Sequence, residues 1–401
     1  MDSPYRELFN AAYSDELYQA FYKRFEQRAD APIQFRVAET PLFLTHSLRN
    51  KLARYAEELV EQLSEPQRLA AMKTAIPARY DAPGMDPLPN CVQVDFALTR
   101  NADGEMDGKV VELQAFPSLY GMMMMQTECW AETLQSVPGL DGDWSWALRH
   151  DHATTKKLLR DTIVADADPL ETVLVDLKPD QQKTRPDFVA TKELFDVDFV
   201  CVTDLKKKGR DLFREKDGRL VPVRRIYNRM VFDELEAKST VVPFDWNEPL
   251  NITWCSHPNW YWVWSKFSLP YVHHPAMPKT WFLNDIPEIP ADLSRYVMKP
   301  LFSFAGSGVI IDVTREHINA VPREQRSQWV LQEKIDYAPA ITMPDGNGVK
   351  AEVRIMLVRP PTAEKLEPII CLVRLSRGKM IGVDHNRGLS WVGGSVGMWR
   401  P

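Results

Sequence analysis

The spacing of apolar and polar positions changes along the chain, and each change marks a different kind of element. Leu48, Leu52, Tyr55, Ala56, Leu59, Val60 and Leu63 recur at three- and four-residue steps. That spacing predicts an amphipathic helix, with Thr45 or Ser47 as its cap. Residues 1 to about 75 read as helical and carry no evident chemistry. From Cys91 the period falls to two: Val92, Val94, Phe96 and Leu98 share one face, and Gln93, Asp95, Ala97 and Thr99 share the other. This predicts a strand that turns Asp95 away from the core. After a polar tip at Asp103-Gly104 and Asp107-Gly108, residues 109–115 alternate again and group Val110, Glu112 and Gln114, so a hairpin is predicted.

From about 151 the pattern becomes α/β, with helices at 154–159 and 185–195 and strands at 172–177 and 198–203. These imply a small open sheet. Lys206-Lys207-Lys208-Gly209-Arg210 reads as a solvated turn, being flanked by acidic residues. Further strands are predicted at 297–298, 309–311, 328–335, 351–358 and 369–376, with a loop over 339–348. The stretch 388–397, with Gly393-Gly394-Ser395, reads as a loose glycine-rich loop, either a lid or a mobile terminus.

A chain of 401 residues implies two or three packed subdomains. A net charge of -6 gives no basic character suited to nucleic acid or an anionic membrane, so a bound anion or cation needs a locally charged site. The five cysteines are odd in number and never spaced Cys-x-x-Cys, which argues against a disulfide framework or structural zinc. They fit a reducing cytosol. The first nine residues lack a basic, then apolar, leader pattern, and no stretch has the length to span a bilayer. A soluble cytoplasmic protein is therefore expected; its oligomeric state is not indicated.

Candidate chemistry concentrates in a few places. Lys299 leads into Ala305-Gly306-Ser307-Gly308, a turn whose backbone N–H groups suit a polyphosphate, or which is simply a hairpin tip. Asp95, Glu112 and Gln114 offer oxygen ligands of the kind magnesium takes, or form a solvated sheet face. Arg224, Arg225 and Arg229 suit a carboxylate substrate or a surface ion-pair network. The aromatic run 254–266 either packs a core or walls a pocket. Met122 to Met125 read as core filling, since consecutive residues cannot face one site. His257, His273 and His274 lack partners at ligand spacing and read as packed or capped.

Taken in order, these segments resemble the circularly permuted ATP-grasp ligases, the branch that holds eukaryotic glutathione synthetase and the synthetase domain of glutathionylspermidine synthetase. Metal-type residues Asp95 and Glu112-x-Gln114 precede Ser265-Lys266, which precedes 296–308 with Lys299. Then come Gln332-Glu333-Lys334-Ile335, similar to the family's adenine hinge, and Arg374 before a glycine-rich tail. The resemblance implies an α+β fold: N-terminal helices with the metal-bearing strands (1–150), a small α/β pre-ATP-grasp substrate domain (151–250) and an ATP-binding lobe (251–401). It implies ATP and magnesium as cofactors. Lys266, Lys299, Ser303, Gly306, Ser307 and Gly308 would hold phosphates, and Gln332, Glu333, Lys334 and Ile335 the adenine. Asp95, Glu112 and Gln114 would hold metal, Arg374 and Arg377 would act in catalysis, and Arg224, Arg225 and Arg229 would bind substrate.

The implied reaction joins a small-molecule carboxylate to an amine through an acyl phosphate. Two departures stand out. Phe304-Ala305 occupy the place of the family's Arg-Glu, and Gln114 that of its Asn. They leave a second reading, a catalytically altered nucleotide-binding or interaction module.

Overall fold

The structure, a computed structural model, describes residues 3–302, 308–378, 386 and 388–401. The chain opens with α1 (Ser3–Ala12), α2 (Asp15–Ala29), a short strand β1 (Leu42–Phe43), α3 (His46–Leu63) and α4 (Pro66–Met72). α3 is the predicted amphipathic helix. Its buried stripe includes Leu48, Leu52, Ala56, Leu59 and Leu63. Of the two candidate caps, Thr45 is the one used, its Oγ1 accepting from the Leu48 amide at 3.3 Å.

Strands β2 (Cys91–Arg100) and β3 (Met106–Gln114) form the predicted hairpin, with Asp95 opposite Glu112. Two details differ from expectation. The register shifts after Asp95, so Phe96 pairs with Val110, and Val110 turns into the core instead of sharing the face of Glu112. The face of Asp95 is not solvated either: every β2 residue from Cys91 to Thr99 is buried.

Next come α5 (Tyr120–Leu134) and α6 (His152–Ile163), then β4 (Thr172–Asp176), α7 (Arg185–Phe195), β5 (Asp198–Cys201), β6 (Lys206–Lys208), β7 (Asp211–Lys216), β8 (Arg219–Val223), β9 (Arg225–Asn228), α8 (Phe232–Ala237) and β10 (Thr253–Cys255). Strands β10, β9, β4 and β5 pair in parallel in that order, which is the predicted small open sheet. The lysine run is a strand of the β6–β7–β8 sheet, where Lys206 pairs with Glu215 at 2.7 Å. Met122 to Met125 are all buried in α5.

The final third holds α9 (Trp260–Val263), β11 (Thr280–Phe282), β12 (Tyr296–Pro300), α10 (Arg315–Ala320), β13 (Trp329–Glu333), β14 (Pro339–Thr342), β15 (Gly348–Val358), β16 (Glu367–Ser376) and β17 (Gly393–Met398). Strands β11, β13 and β12 make a small antiparallel sheet over its own core of Leu283, Met298, Ile318 and Leu331. The strand predicted at 309–311 reduces to one bridge, Met298 with Ile310. Conversely, the loop predicted over 339–348 contains β14.

The largest sheet runs β1-β17-β16-β15-β2-β3, with β14 on β15. It takes strands from both ends of the sequence. From Gly393 onward the glycine-rich tail is thus a strand between β16 and β1, while 388–392 remain irregular. Its glycines serve close packing: a Cβ on Gly393 would lie 2.3 Å from the Arg36 carbonyl oxygen, and one on Gly397 would lie 2.6 Å from Cys371 Sγ. No helix among the described residues is long and apolar enough to cross a membrane.

Candidate ligand-binding cleft

The two-residue period of β15 brings Lys350, Glu352 and Arg354 to one face of the large sheet, and that of β16 adds Leu372 and Arg374. Asp95 lies opposite Arg354 in β2, and Glu112 lies opposite Asp95 in β3. Over this face opens a cleft of about 1540 Å³, whose other wall carries Val297 and Lys299 of β12 and residues Gln332 to Tyr337 at the end of β13. The aromatic run contributes Tyr261 and Trp264 to its lining, while Trp260 is fully buried in the core, so that stretch does both jobs.

Lys299 joins the two walls. Its Nζ donates to the Val111 carbonyl of β3 at 3.1 Å and to Gln332 Oε1 at 2.7 Å. Lys266 opens a short 3-10 turn capped by Ser265, whose Oγ accepts from the Phe267 amide at 3.1 Å, and the Lys266 Nζ stands 3.2 Å from Glu112 Oε1. Burial pushes the Lys299 ammonium down to about 8, with Glu112 opposing that shift and Lys266 adding to it. Among the described residues, eight Lys and Arg against five Asp and Glu line the cleft, a locally basic site on an acidic chain.

Beneath the cleft floor lies a buried charge network. Asp95 Oδ2 accepts from Arg354 Nη2 at 2.8 Å, its Oδ1 accepts from Arg354 Nε, and Arg374 Nη2 also donates to Oδ2. Burial raises the Asp95 pKa, but the two guanidiniums outweigh it and hold the carboxyl below its ordinary range. Arg374 also pairs with Glu352 at 3.0 Å, and Tyr337 donates to the other Glu352 oxygen. Burial raises the Glu352 pKa despite these partners. Arg354 Nη1 donates to Gln93 Oε1 at 2.7 Å, and the Gln114 amide end stands 3.0 Å from that same atom.

The structure sorts the sequence-predicted residues. Lys266, Lys299, Gln332, Glu333, Lys334, Ile335, Glu112, Gln114 and Arg374 line this one cleft. Asp95 lies under its floor, and Gly308 and Arg377 are outside its lining. Arg377 instead uses its amide on Asn386 Oδ1 at 3.0 Å. Ser303, Gly306 and Ser307, with Phe304-Ala305, lie outside the described residues.

The three substrate arginines are outside the lining too. Arg224 pairs with Asp211 at 2.7 Å on the surface. Arg229 is buried against Asp187, whose carboxylate accepts from the Leu119 and Met122 amides at 3.0 Å each. Arg225 clamps the end of α6, donating to the Ile163 carbonyl at 2.7 Å and the Thr162 carbonyl at 2.8 Å. Arg225→Ala is accordingly expected to destabilise the fold by about 2–4 kcal/mol by leaving buried carbonyls unpaired. Denaturant unfolding checks this, and ligand affinity in the folded variant should be unchanged. Two of the histidines are packed as expected, His274 meeting Glu58 at 2.8 Å and His257 lowered by burial to about 4, whereas His273 is exposed.

Magnesium takes oxygen ligands at about 2.0–2.1 Å. Asp95 has both oxygens engaged by guanidinium groups, Glu112 faces Lys266, and Gln114 is drawn to Gln93. Among the described residues no three His, Cys, Asp or Glu side chains converge as metal ligands. Asp95, Glu112 and Gln114 as arranged do not fit a metal ion, because the first is an arginine counter-ion.

Neither a protein-family model nor a curated protein matches the sequence. Among solved structures the chain is similar to a glutathione synthetase-like effector from Globodera pallida in its apo form. The identity is 12%, the match covers 96% of this chain and 99% of that one, and the TM-score is 0.58. At that identity the likeness is one of fold: the mixed α+β architecture is of glutathione synthetase-like kind.

Proposed function

We propose that the cleft binds ATP and that the chain is an ATP-dependent carboxylate–amine ligase of the circularly permuted ATP-grasp type. The observation that carries this reading is the meeting of Lys266, Lys299 and the Gln332–Ile335 segment, from three separate stretches of sequence, in one basic cleft. A polyphosphate fits there. Among the described residues Lys299 donates to two neutral oxygens and has no carboxylate in direct contact, so a phosphate oxygen would supply the missing negative partner.

ATP, when bound, supplies the phosphoryl group that activates a carboxylate for attack by an amine. Lys266 and Lys299 hold phosphate oxygens, and the β13 end presents backbone groups to the adenine. Arg374, fixed by Asp95 and Glu352, orients the carboxylate and offsets its charge. No step is derived through a metal ion. Purified protein is expected to bind Mg-ATP and to release ADP with members of a carboxylate and amine panel; absence of both ATP binding and ADP release would end the proposal.

The ion pairs of Asp95 and Glu112 favour a second reading, nucleotide binding without turnover. Thermal stabilisation by ATP with no ADP released across the panel would select it.

A pH dependence follows from Lys299. Its amine is lowered to about 8, so the ammonium that meets phosphate is present below that pH and lost above it. ATP affinity is expected to fall as pH rises through 8, and binding near pH 8.5 to take up a proton, because a bound anion favours the charged amine. Calorimetry in buffers of different ionisation enthalpy reads that uptake. For stability the sign is opposite to that of a stabilised ammonium: the unfolded lysine holds its proton up to about 10.4. Stability from this group therefore rises as pH increases from 8 toward 10.

A further inference from the structure

The cleft runs across the large sheet, from β3 beside Lys299 to β17. Those strands are separated by β2, β15 and β16, so at ~4.8 Å per strand they lie about 19 Å apart. A volume of about 1540 Å³ exceeds the roughly 300–1,000 Å³ usual for one small ligand, which leaves room for a second beside the nucleotide. The two ends differ in chemistry. The lining carboxylates Glu112, Asp312, Glu333, Asp336 and Glu352 come from β3, β15 and the β12–β13 side. The β17 end is walled by Phe35, Leu119, Met122, Met123, Leu389 and Val392. Gly394 brings the strand against Phe35, whose ring would be 3.7 Å from a Cβ there.

Among the described lining residues, the cations at that end are Arg36 and Lys183. Arg36 is spent within the fold, on Glu39, on the Val37 carbonyl at 2.8 Å and on Tyr18 Oη at 3.2 Å. Lys183 is exposed, so its charge needs no buried partner. Between the two ends stands Arg374, whose Nη2 meets Asp95 and Glu352 while its buried Nε has no hydrogen-bond partner among the described residues.

We propose that the β17 end receives the apolar body of a monocarboxylate substrate whose carboxylate rests at Arg374. This deepens the ligase reading of the same cleft and rests on it. An apolar body gains by leaving water among Phe35, the two methionines and Val392. A polyamine would find no carboxylate among the described lining residues of that end, since Glu39 is paired with Arg36 and Asp187 with Arg229 behind the wall, and a dicarboxylate would bury its second charge against apolar side chains.

The test titrates the full chain, with ATP present, with straight-chain monocarboxylates of four to eight carbons, the matching dicarboxylates and spermidine. Affinity is expected to rise about fourfold per added methylene. Dicarboxylates and spermidine are expected to bind at least about tenfold more weakly than the eight-carbon monocarboxylate. Phe35→Asp should flatten the chain-length gradient, and Leu389→Asp, outside any helix or strand, should do the same without risk to the sheet.

A flat gradient in the unaltered protein, tighter binding of spermidine, or a gradient unchanged in both folded variants would overturn the proposal. The nucleotide reading fails separately. ATP titrated alone would then give no binding, while the carboxylate series still reports on the β17 end.

Discussion

Lys299→Met is expected to weaken ATP binding about 10- to 150-fold, the equivalent of one charge-assisted hydrogen bond worth ~1.5–3 kcal/mol. Methionine keeps the length and apolar stem of the side chain, so the change removes the ammonium and little else. The same substitution frees the fold of a buried amine, at the cost of unpairing Gln332 Oε1 and the Val111 carbonyl. These effects oppose each other, and the unfolding midpoint should move little. Calorimetric titration of a variant that unfolds normally therefore separates binding from folding. The pH dependence of ATP affinity near 8 should also vanish in this variant, since the titrating group is gone. Affinity within twofold of the unaltered protein would remove Lys299 from the site.

Asp95→Asn is expected to lower stability by about 3–5 kcal/mol, the usual cost of removing one partner from a buried charge network. The amide has the shape of the carboxylate but leaves Arg354 and Arg374 without their shared counter-ion. Denaturant unfolding measures the loss, and a change below 1 kcal/mol would show that water reaches the network. Acid should act in the same direction. The Asp95 pKa is depressed on folding, so its contribution is complete above the ordinary carboxylate range and fades only as pH falls through the lowered value. In ligand binding the variant should lose carboxylate recognition before nucleotide recognition, because Arg374 is the neighbour it positions.

Local pattern carried much of the architecture. The stripe of α3, the alternation of β2 and the α/β succession from 172 to 201 each bury a defined face, and such burial leaves a period in the sequence. Lys266, Lys299 and the Gln332–Ile335 segment were likewise legible from their order, and the fold brings them to one cleft. What escaped depends on contacts far apart in the chain. Asp95 looks like a solvated acid from its own strand, and only its pairing with β15, some 260 residues later, reveals two arginines above it. The polar stripe Lys350, Glu352, Arg354 was visible as an alternation, but nothing local tells whether such a stripe faces water or a cleft. Arg224, Arg225 and Arg229 failed as a substrate cluster because alternation within and beside β9 sends them to different surroundings: solvent, the end of α6, and the buried Asp187. The glycines of β17 imitate a flexible loop. Their reason is the close approach of Arg36 and Cys371, which no neighbour in sequence announces.

We propose that ATP binds in the cleft between the β12–β13 sheet and the face bearing Arg374. A structure of the full chain with a non-hydrolysable ATP analogue tests it most directly. The predicted result places the phosphates within hydrogen-bond reach of Lys266 and Lys299 and the adenine against the backbone of Gln332 to Ile335. An analogue bound elsewhere, or no bound analogue at millimolar concentration, would contradict it.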